Sequence, residues 1–354
     1  MEPQAARHSN PAMEKFLLTV NCFLLAFGTT GGPLIMRLYF IHGGERVWLS
    51  AWLETGGWPI IIIPLMIAYF HRRKKQESNA KLIYITPKKF ISFVVIGVLT
   101  GVDDFLYAHG VAKLPVSTYS LLIATQLAFT AFFAFILVRQ KFTPYSINAV
   151  AMLTLGAGVL AMHTSSDRPE GVTKREYYVG FFMTLGASAL YGFVLPLIEL
   201  TYMKAKNATI TYTLVLEIQL VMCFFVTAFC TAGMLVNKDF QAISREAKTY
   251  ELGEVTFYVV LVWTAISWQC FFLGAIGVIF SASSLLSGII IAVMLPLTEI
   301  LAVIFYHESF KVEKALALVL SLWGFVSYFY GEIKHNKKKS SAKDQTDIAE
   351  FVAP

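Results

Sequence analysis

Charge is what this sequence has least of. Asp, Glu, Lys and Arg make up 15% of its 354 residues, where soluble proteins carry about 25%. That shortage excludes an ordinary water-facing surface. Cysteine is also scarce. The four present, Cys22, Cys223, Cys230 and Cys270, all fall in apolar stretches, which reads as packing and implies neither a disulfide framework nor a metal site. No long run alternates with period two, so half-buried strands are not expected. There is no nucleophile–base pair and no His/Asp metal spacing, so the sequence reads as no enzyme.

What is present is hydrocarbon, with 56% of the residues hydrophobic. A bilayer core about 30 Å thick needs roughly 20 apolar residues per helix. Ten stretches meet that length, at 16–40, 48–70, 90–111, 115–138, 145–163, 177–202, 210–236, 255–278, 282–306 and 315–331. The expected fold is an all-α integral membrane protein with ten transmembrane helices.

The formal net charge of +6 is no nucleic-acid signal. Most Lys and Arg lie in the two tails and the even-numbered loops, densest in HRRKKQ (71–76) and KHNKKK (334–339). The positive-inside rule then puts both termini in the cytoplasm. The first apolar stretch is too long for a signal peptide and lacks a small-residue cleavage site, so it reads as a signal anchor. Asn207-Ala208-Thr209 matches a glycosylation pattern but falls on the cytoplasmic side, and is expected unmodified.

The chain repeats itself. Pro33-Leu34-Ile35 with Tyr39 recurs as Pro196-Leu197-Ile198 with Tyr202. In the same order Leu53-Glu54 meets Leu216-Glu217, Thr100 meets Thr264, Gly110 meets Gly274, Ser117 meets Ser281, Ser120-Leu121-Leu122 meets Ser284-Leu285-Leu286, and Gly156 meets Gly324. Five duplicated helices are an odd number, so the second copy enters from the opposite side. Transporters of this build hold substrate at the midplane between the halves. The expected division is a cytoplasmic tail at 1–15, a first five-helix repeat at 16–163, a second at 177–331 and a basic cytoplasmic tail at 332–354.

Six acids interrupt the apolar stretches: Glu54, Asp103, Asp104, Glu199, Glu217 and Glu299. An acid at mid-bilayer costs roughly 3 kcal/mol, and such residues face a bundle interior or a wet cavity. Glu199 and Glu299 lie toward span ends, where headgroups can solvate them. No Lys or Arg reads as equally deep, which argues against a phosphate-bearing substrate and for a proton, a cation or a neutral ligand rich in N–H donors. Glu54 and Trp58 are four residues apart and share a helix face, as do Asp103 and Tyr107. Asp104 is turned about 100° from Asp103 and would look elsewhere. A carboxylate beside an aromatic plane suits a flat nitrogen heterocycle, which stacks for roughly 1–3 kcal/mol. Gln126 can read donor and acceptor together. Trp263, Trp268 and Gln269 offer a similar set. Glu217 matches Glu54 in the repeat and would face it from the other half. His109 and His307 near span ends are possible relays.

Several stretches are similar to the plant purine permeases of the drug/metabolite transporter superfamily: GGPLIMRLYFIHGG (31–44), WLETGGWP (52–59), STYSLLIATQLAFTAFFAF (117–135), FTPYSINAV (142–150), ALYGFVLPLIELTY (189–202) and SLWGFVSYFYGE (321–332). The resemblance spans 16–332 and implies proton-coupled uptake of adenine, cytokinins and related heterocycles across the plasma membrane. It needs no cofactor beyond protons as coupling ion, no nucleic acid and no protein partner besides the lipid bilayer. The substrate-binding set expected is Glu54, Trp58, Tyr107, Gln126, Glu217, Trp268 and Gln269, with Glu217, Glu54 or Asp103 carrying the proton. A transporter of another heterocycle or organic cation, such as an alkaloid or pyridoxine, stays open at this point. So do an uncoupled facilitator and, from a different class, a non-transporting receptor.

Overall fold

The computed structural model describes residues 11–74, 85, 87–114, 119, 122–123, 125–161, 173–204, 212–306, 312, 315–316, 319–320, 322–331 and 333–334. Eleven α-helices with set bounds order the described residues: α1 (Pro11–Ile41), α2 (Val47–Gly56), α3 (Ile62–Lys74), α4 (Pro87–Lys113), α5 (Gln126–Leu137), α6 (Pro144–Ala161), α7 (Lys174–Lys204), α8 (Tyr212–Asn237), α9 (Asp239–Thr249), α10 (Glu254–Ser281) and α11 (Ser284–Tyr306). Residues 322–331 are also helical.

Seven spans among the described residues are long and apolar enough to cross a bilayer: Ala12–Ile41, Val47–Phe70, Phe90–Lys113, Lys174–Met203, Tyr212–Asn237, Glu254–Ser281 and Ser284–Tyr306. Helices satisfy their own backbone groups, the condition hydrocarbon imposes. Large apolar side chains such as Phe23, Phe182, Val262 and Trp323 point outward, as lipid contact requires. The protein is a multi-pass helical membrane protein. Much of the expected fourth stretch before Thr125, residues 317, 318 and 321 of the tenth, Asn207-Ala208-Thr209 and His307 lie outside the described residues, so the full count of ten rests on the sequence.

The helix meant to be the second span is broken. Gly56, Gly57 and Pro59 end α2 and impose a 3-10 turn at Trp58–Ile61 before α3 resumes, because proline removes a donor and glycine lowers the cost of leaving the helix.

Two helix pairs pack most extensively, α1 with α10 and α4 with α7. Each rests on a glycine. A Cβ at Gly274 of α10 would collide with the Leu25 backbone of α1, and one at Gly110 of α4 with the Thr184 side chain of α7. Small residues let membrane helices approach this closely. α1 and α7 are each 31 residues long and carry an internal proline, Pro33 and Pro196, at the same place along the helix. α9 lies off the spans and is tied to the α1–α2 loop. Arg46 pairs with Asp239 at 3.6 Å and with Glu246 at 3.4 Å, and Tyr39 donates its hydroxyl to Glu246 at 2.5 Å. Burial pushes the Asp239 carboxyl above its ordinary range, opposed by Asn237 and Arg46. Burial likewise raises the Tyr250 phenol, to about 12.

Candidate functional site

The internal cavity is lined from seven helices. α1 contributes Thr29 and Pro33, α7 contributes Ala187 and Tyr191, and α11 contributes Ile291 and Leu295. Each pair is spaced i, i+4, so it points to one side of its helix. α10 adds Trp268, Phe271 and Phe272 on the same logic. Gln126 enters at the first turn of α5, and Glu54 enters from the last turn of α2.

α4 supplies Asp103, Asp104 and Tyr107 together. The sequence placed Asp104 elsewhere because adjacent residues diverge by about 100°. The cavity is wide enough to take that whole sector of α4, with Tyr107 falling between the two acids. Three carboxyls therefore share one chamber, and Glu54, Asp103 and Asp104 are 2%, 6% and 1% exposed. Among the described residues, Glu54 Oε1, Asp103 Oδ1, Asp104 Oδ2 and Trp268 Nε1 are buried with no hydrogen-bond partner. Buried polar atoms are nearly always satisfied, so these four ask for partners from outside the chain.

Facing them is an aromatic wall. Tyr107 stands at 88° to Trp268 with ring centroids 5.4 Å apart, and Trp268 is edge-on to Phe271 at 5.3 Å. Tyr191 lies against Phe271 at 5.7 Å. The Tyr119 hydroxyl donates to that of Tyr107.

The structure thus brings together Glu54, Asp103, Tyr107, Gln126 and Trp268. It does not bring Trp58, Glu217 or Gln269 to this cavity. Trp58 begins the 3-10 turn, which shifts it off the face of Glu54, and it packs edge-on against Phe224 at 5.7 Å. Glu217 is buried on α8, but the Thr55–Thr227 hydrogen bond of 3.1 Å sets α2 beside a level of α8 about 15 Å along from Glu217. Gln269 is buried on α10, one residue and about 100° round from Trp268. Glu199 sits at a helix end, accepting the Ser284 N–H at 2.8 Å at the start of α11. The side chain of Glu299 lies outside the described residues. Trp263 is half exposed on the outer side of α10, and His109 leans on Phe105 at 6.0 Å.

Tyr119, Tyr191, Phe271 and Phe272 escaped the sequence reading. Tyr191 lies inside the ALYGFVLPLIELTY stretch, and Phe271 and Phe272 follow Trp268 at i+3 and i+4, so helical spacing from Trp268 pointed to them. A second cavity adjoins the first and shares Pro33, Tyr119 and Leu295 with it. Leu34, Arg37, Val111, Leu114, Thr298 and Ala302 complete it. Arg37, half-buried one turn before the end of α1, is a basic residue at this second cavity rather than at the acid-bearing one.

A family model for purine nucleobase transmembrane transport matches residues 16–338. Purine permease 3 of Arabidopsis thaliana is 55% identical over 92% of this chain and 93% of its own length. The chain belongs to the purine permease family. Purine permease 2 of the same plant is 49% identical over 96% of this chain and 99% of its own. Purine permease 21 is 34% identical over 96% and 87%. A protein of known crystal structure shares the fold at a TM-score of 0.60 and 13% identity, covering 90% of this chain and 97% of that one. As a purine permease the chain is a membrane transporter and not an enzyme.

Proposed function

We propose that this purine permease is a proton-coupled symporter importing adenine, cytokinins and related purine-like heterocycles. It would sit in the plasma membrane with both termini in the cytoplasm, its two five-helix halves rocking about the cavity. The observation that carries the reading is the meeting of Glu54, Asp103 and Asp104 with the Tyr107–Trp268 wall in one buried chamber. A planar base stacks against aromatic rings for roughly 1–3 kcal/mol, its N–H groups donate to carboxylate oxygens, and the Trp268 indole N–H donates to a ring nitrogen. Each further negative charge at this depth costs about 3 kcal/mol. A proton held among the three acids removes one of those charges and with it part of that cost. One charge crossing ~100 mV supplies ~2.3 kcal/mol, enough for roughly fifty-fold accumulation of a neutral base.

Position favours Glu54, Asp103 and Asp104 over Glu217 as the coupling group. The test is uptake of labelled adenine in yeast lacking its own purine transport, at acidic and near-neutral external pH, with and without a protonophore. Acid-stimulated uptake that the protonophore collapses supports symport. Uptake that ignores both points to a facilitator, and a surface-expressed protein that admits no adenine sinks the purine assignment. Glu54→Gln is expected to abolish acid stimulation. If Glu217→Gln alone does so, coupling lies outside the chamber.

A further inference from the structure

Among the described residues, none of α8 lines the chamber, yet α8 carries a polar stripe past it. Tyr212, Gln219, Cys223, Thr227 and Cys230 recur at i, i+7, i+11, i+15 and i+18, which sets them on one face of the helix. All but Tyr212 are buried. The upper end of the stripe meets the acids. Thr227 hydrogen-bonds at 3.1 Å to Thr55, the residue after Glu54. Asp104 shares an α4 face with Gly97 and Gly101, and both glycines lie against α8. A Cβ at Gly97 would strike Met222 O, and one at Gly101 the Phe229 ring. Asp103, about 100° round α4, turns away from that contact. Asp104 is therefore the acid with the chamber on one side and α8 on the other.

Two glutamines stand along the stripe. Gln219 donates to Cys223 Sγ at 2.9 Å, and its Oε1 has no hydrogen-bond partner among the described residues. Gln269 of α10 lies against Gly57, level with Cys223, because the adjacent Trp58 packs on Phe224. Its Oε1 is also without a partner. The two residues are 1% and 2% exposed. A buried carbonyl left without a donor costs about 1–3 kcal/mol, and buried water is the usual donor at such a place. At its lower end the stripe reaches Tyr212, whose hydroxyl donates to Asn21 Oδ1 at 3.0 Å. That end is cytoplasmic in the proposed topology, about 22 Å along α8 from Thr227.

We propose that this seam holds a file of water and carries the coupling proton from Asp104 to the cytoplasm, apart from the path of the base. The proton shared among the three acids leaves from Asp104. Its O–H bond breaks toward the first water, which passes a proton of its own to the next. The carboxylate that remains takes its next proton from the outer side. Gln219 and Gln269 are positioning residues, accepting hydrogen bonds from the waters of the file. Leu216 takes the place between Gln219 and Tyr212 on that face and breaks the file, so release waits for the halves to move. The repeat that the sequence suggests favours a proton over a base here. A base needs a way out through both halves, one for each face of the membrane. The residues of the first half that match the stripe are Leu49, Gly56, Ile60, Pro64 and Ile67, none of them polar. The stripe belongs to one half alone, which suits an ion released to one side.

The inference rests on the symport reading, and the test separates the two. Purified protein is reconstituted in vesicles loaded with a pH dye. Adenine-driven acidification is measured beside adenine exchange at equal concentration on both sides, which cycles the loaded carrier without releasing the proton. Gln219→Leu and Gln269→Leu are expected to lower acidification and net uptake about tenfold, about 1.4 kcal/mol of barrier, and to leave exchange within about twofold. Gln219→Asn, which keeps a carbonyl for water, is expected to stay near wild type. Acidification retained in both leucine variants overturns the seam and leaves symport standing. A fall in exchange equal to the fall in acidification does the same, since the glutamines would then only hold the fold. Adenine uptake by the wild type without acidification overturns symport, and the seam with it. Hydroxyl-radical footprinting of the wild type needs no variant. It is expected to oxidise Cys223, because radicals formed in a neighbouring water reach the thiol, and an unmodified Cys223 means a dry seam and overturns the proposal.

Discussion

At the scale of single residues, Trp268 and Trp58 make opposite predictions. Trp268 is 5% exposed and forms the chamber wall, while Trp58 packs against Phe224. Trp268→Ala is expected to raise the apparent KM for adenine roughly tenfold, within the 1–3 kcal/mol of a lost stack. Trp58→Ala is expected to leave it within about twofold. A KM titration of both at matched surface expression checks the pair, and the reverse order would move the base out of this chamber. The sequence favoured Trp58 for a sound reason, since a helix would have set it one turn beyond Glu54. The reason failed locally, because Gly57 and Pro59 replace that turn with a 3-10 one. The carboxylate beside an aromatic plane was legible in Asp103 and Tyr107, where α4 is unbroken.

At the scale of elements, the helix crossings are where the fold is least forgiving. Gly274→Ala drives a methyl into the backbone of α1, which cannot rotate away, whereas Gly110→Ala meets only the side chain of Thr184. Both are expected to lower folded yield, with Gly274→Ala the worse, measured as the monodisperse fraction on detergent size-exclusion chromatography. Equal yields would mean that the α1–α10 crossing relaxes more freely than its backbone contact allows. A second element-scale device is the tie between the α1–α2 loop and α9. Arg46→Ala leaves Asp239, fully buried, and Glu246, 8% exposed, without their cation. Removing one partner of a buried pair costs about 3–5 kcal/mol, less where the partner is part-exposed. A fall of several degrees in the detergent melting temperature is therefore expected. The seven described spans were readable from apolar length alone, and Gly110 and Gly274 stood out from their match in the suggested repeat. The clasp was not, because its members are distant in sequence and only the fold brings Arg46 to α9.

At the scale of the whole molecule, the two most extensive pairings exchange under the repeat that the sequence suggests. α1 corresponds to α7 and α10 to α4, so α1 with α10 maps onto α7 with α4. Gly274 and Gly110 take equivalent places in them. An inverted pair of halves would behave this way, and we propose it as the frame for alternating access. If it holds, crosslinking α1 to α10 through paired cysteines is expected to leave uptake intact, since that pair would move as one body. Loss of uptake on crosslinking, restored by reduction, would mean the pair itself must open. The acids were visible from sequence, but their convergence was not. Glu54 comes from a helix end and Asp104 from a sector the cavity wraps, and neither follows from spacing.

Two chambers set end to end would do more than hold a base: we propose that they measure it. From Pro33, which they share, to Arg37 is about one helical turn, or roughly 6 Å, the reach of about four or five carbon atoms. With the flat ring below, an aliphatic arm on the ring would lie above among Val111, Leu114 and Ala302. The protein would then work as a ruler. In a series of N6-alkyl adenines, competition against adenine is expected to strengthen with arm length up to about five carbons and fall beyond it. A flat series would say that the upper chamber takes no part in fitting the ligand.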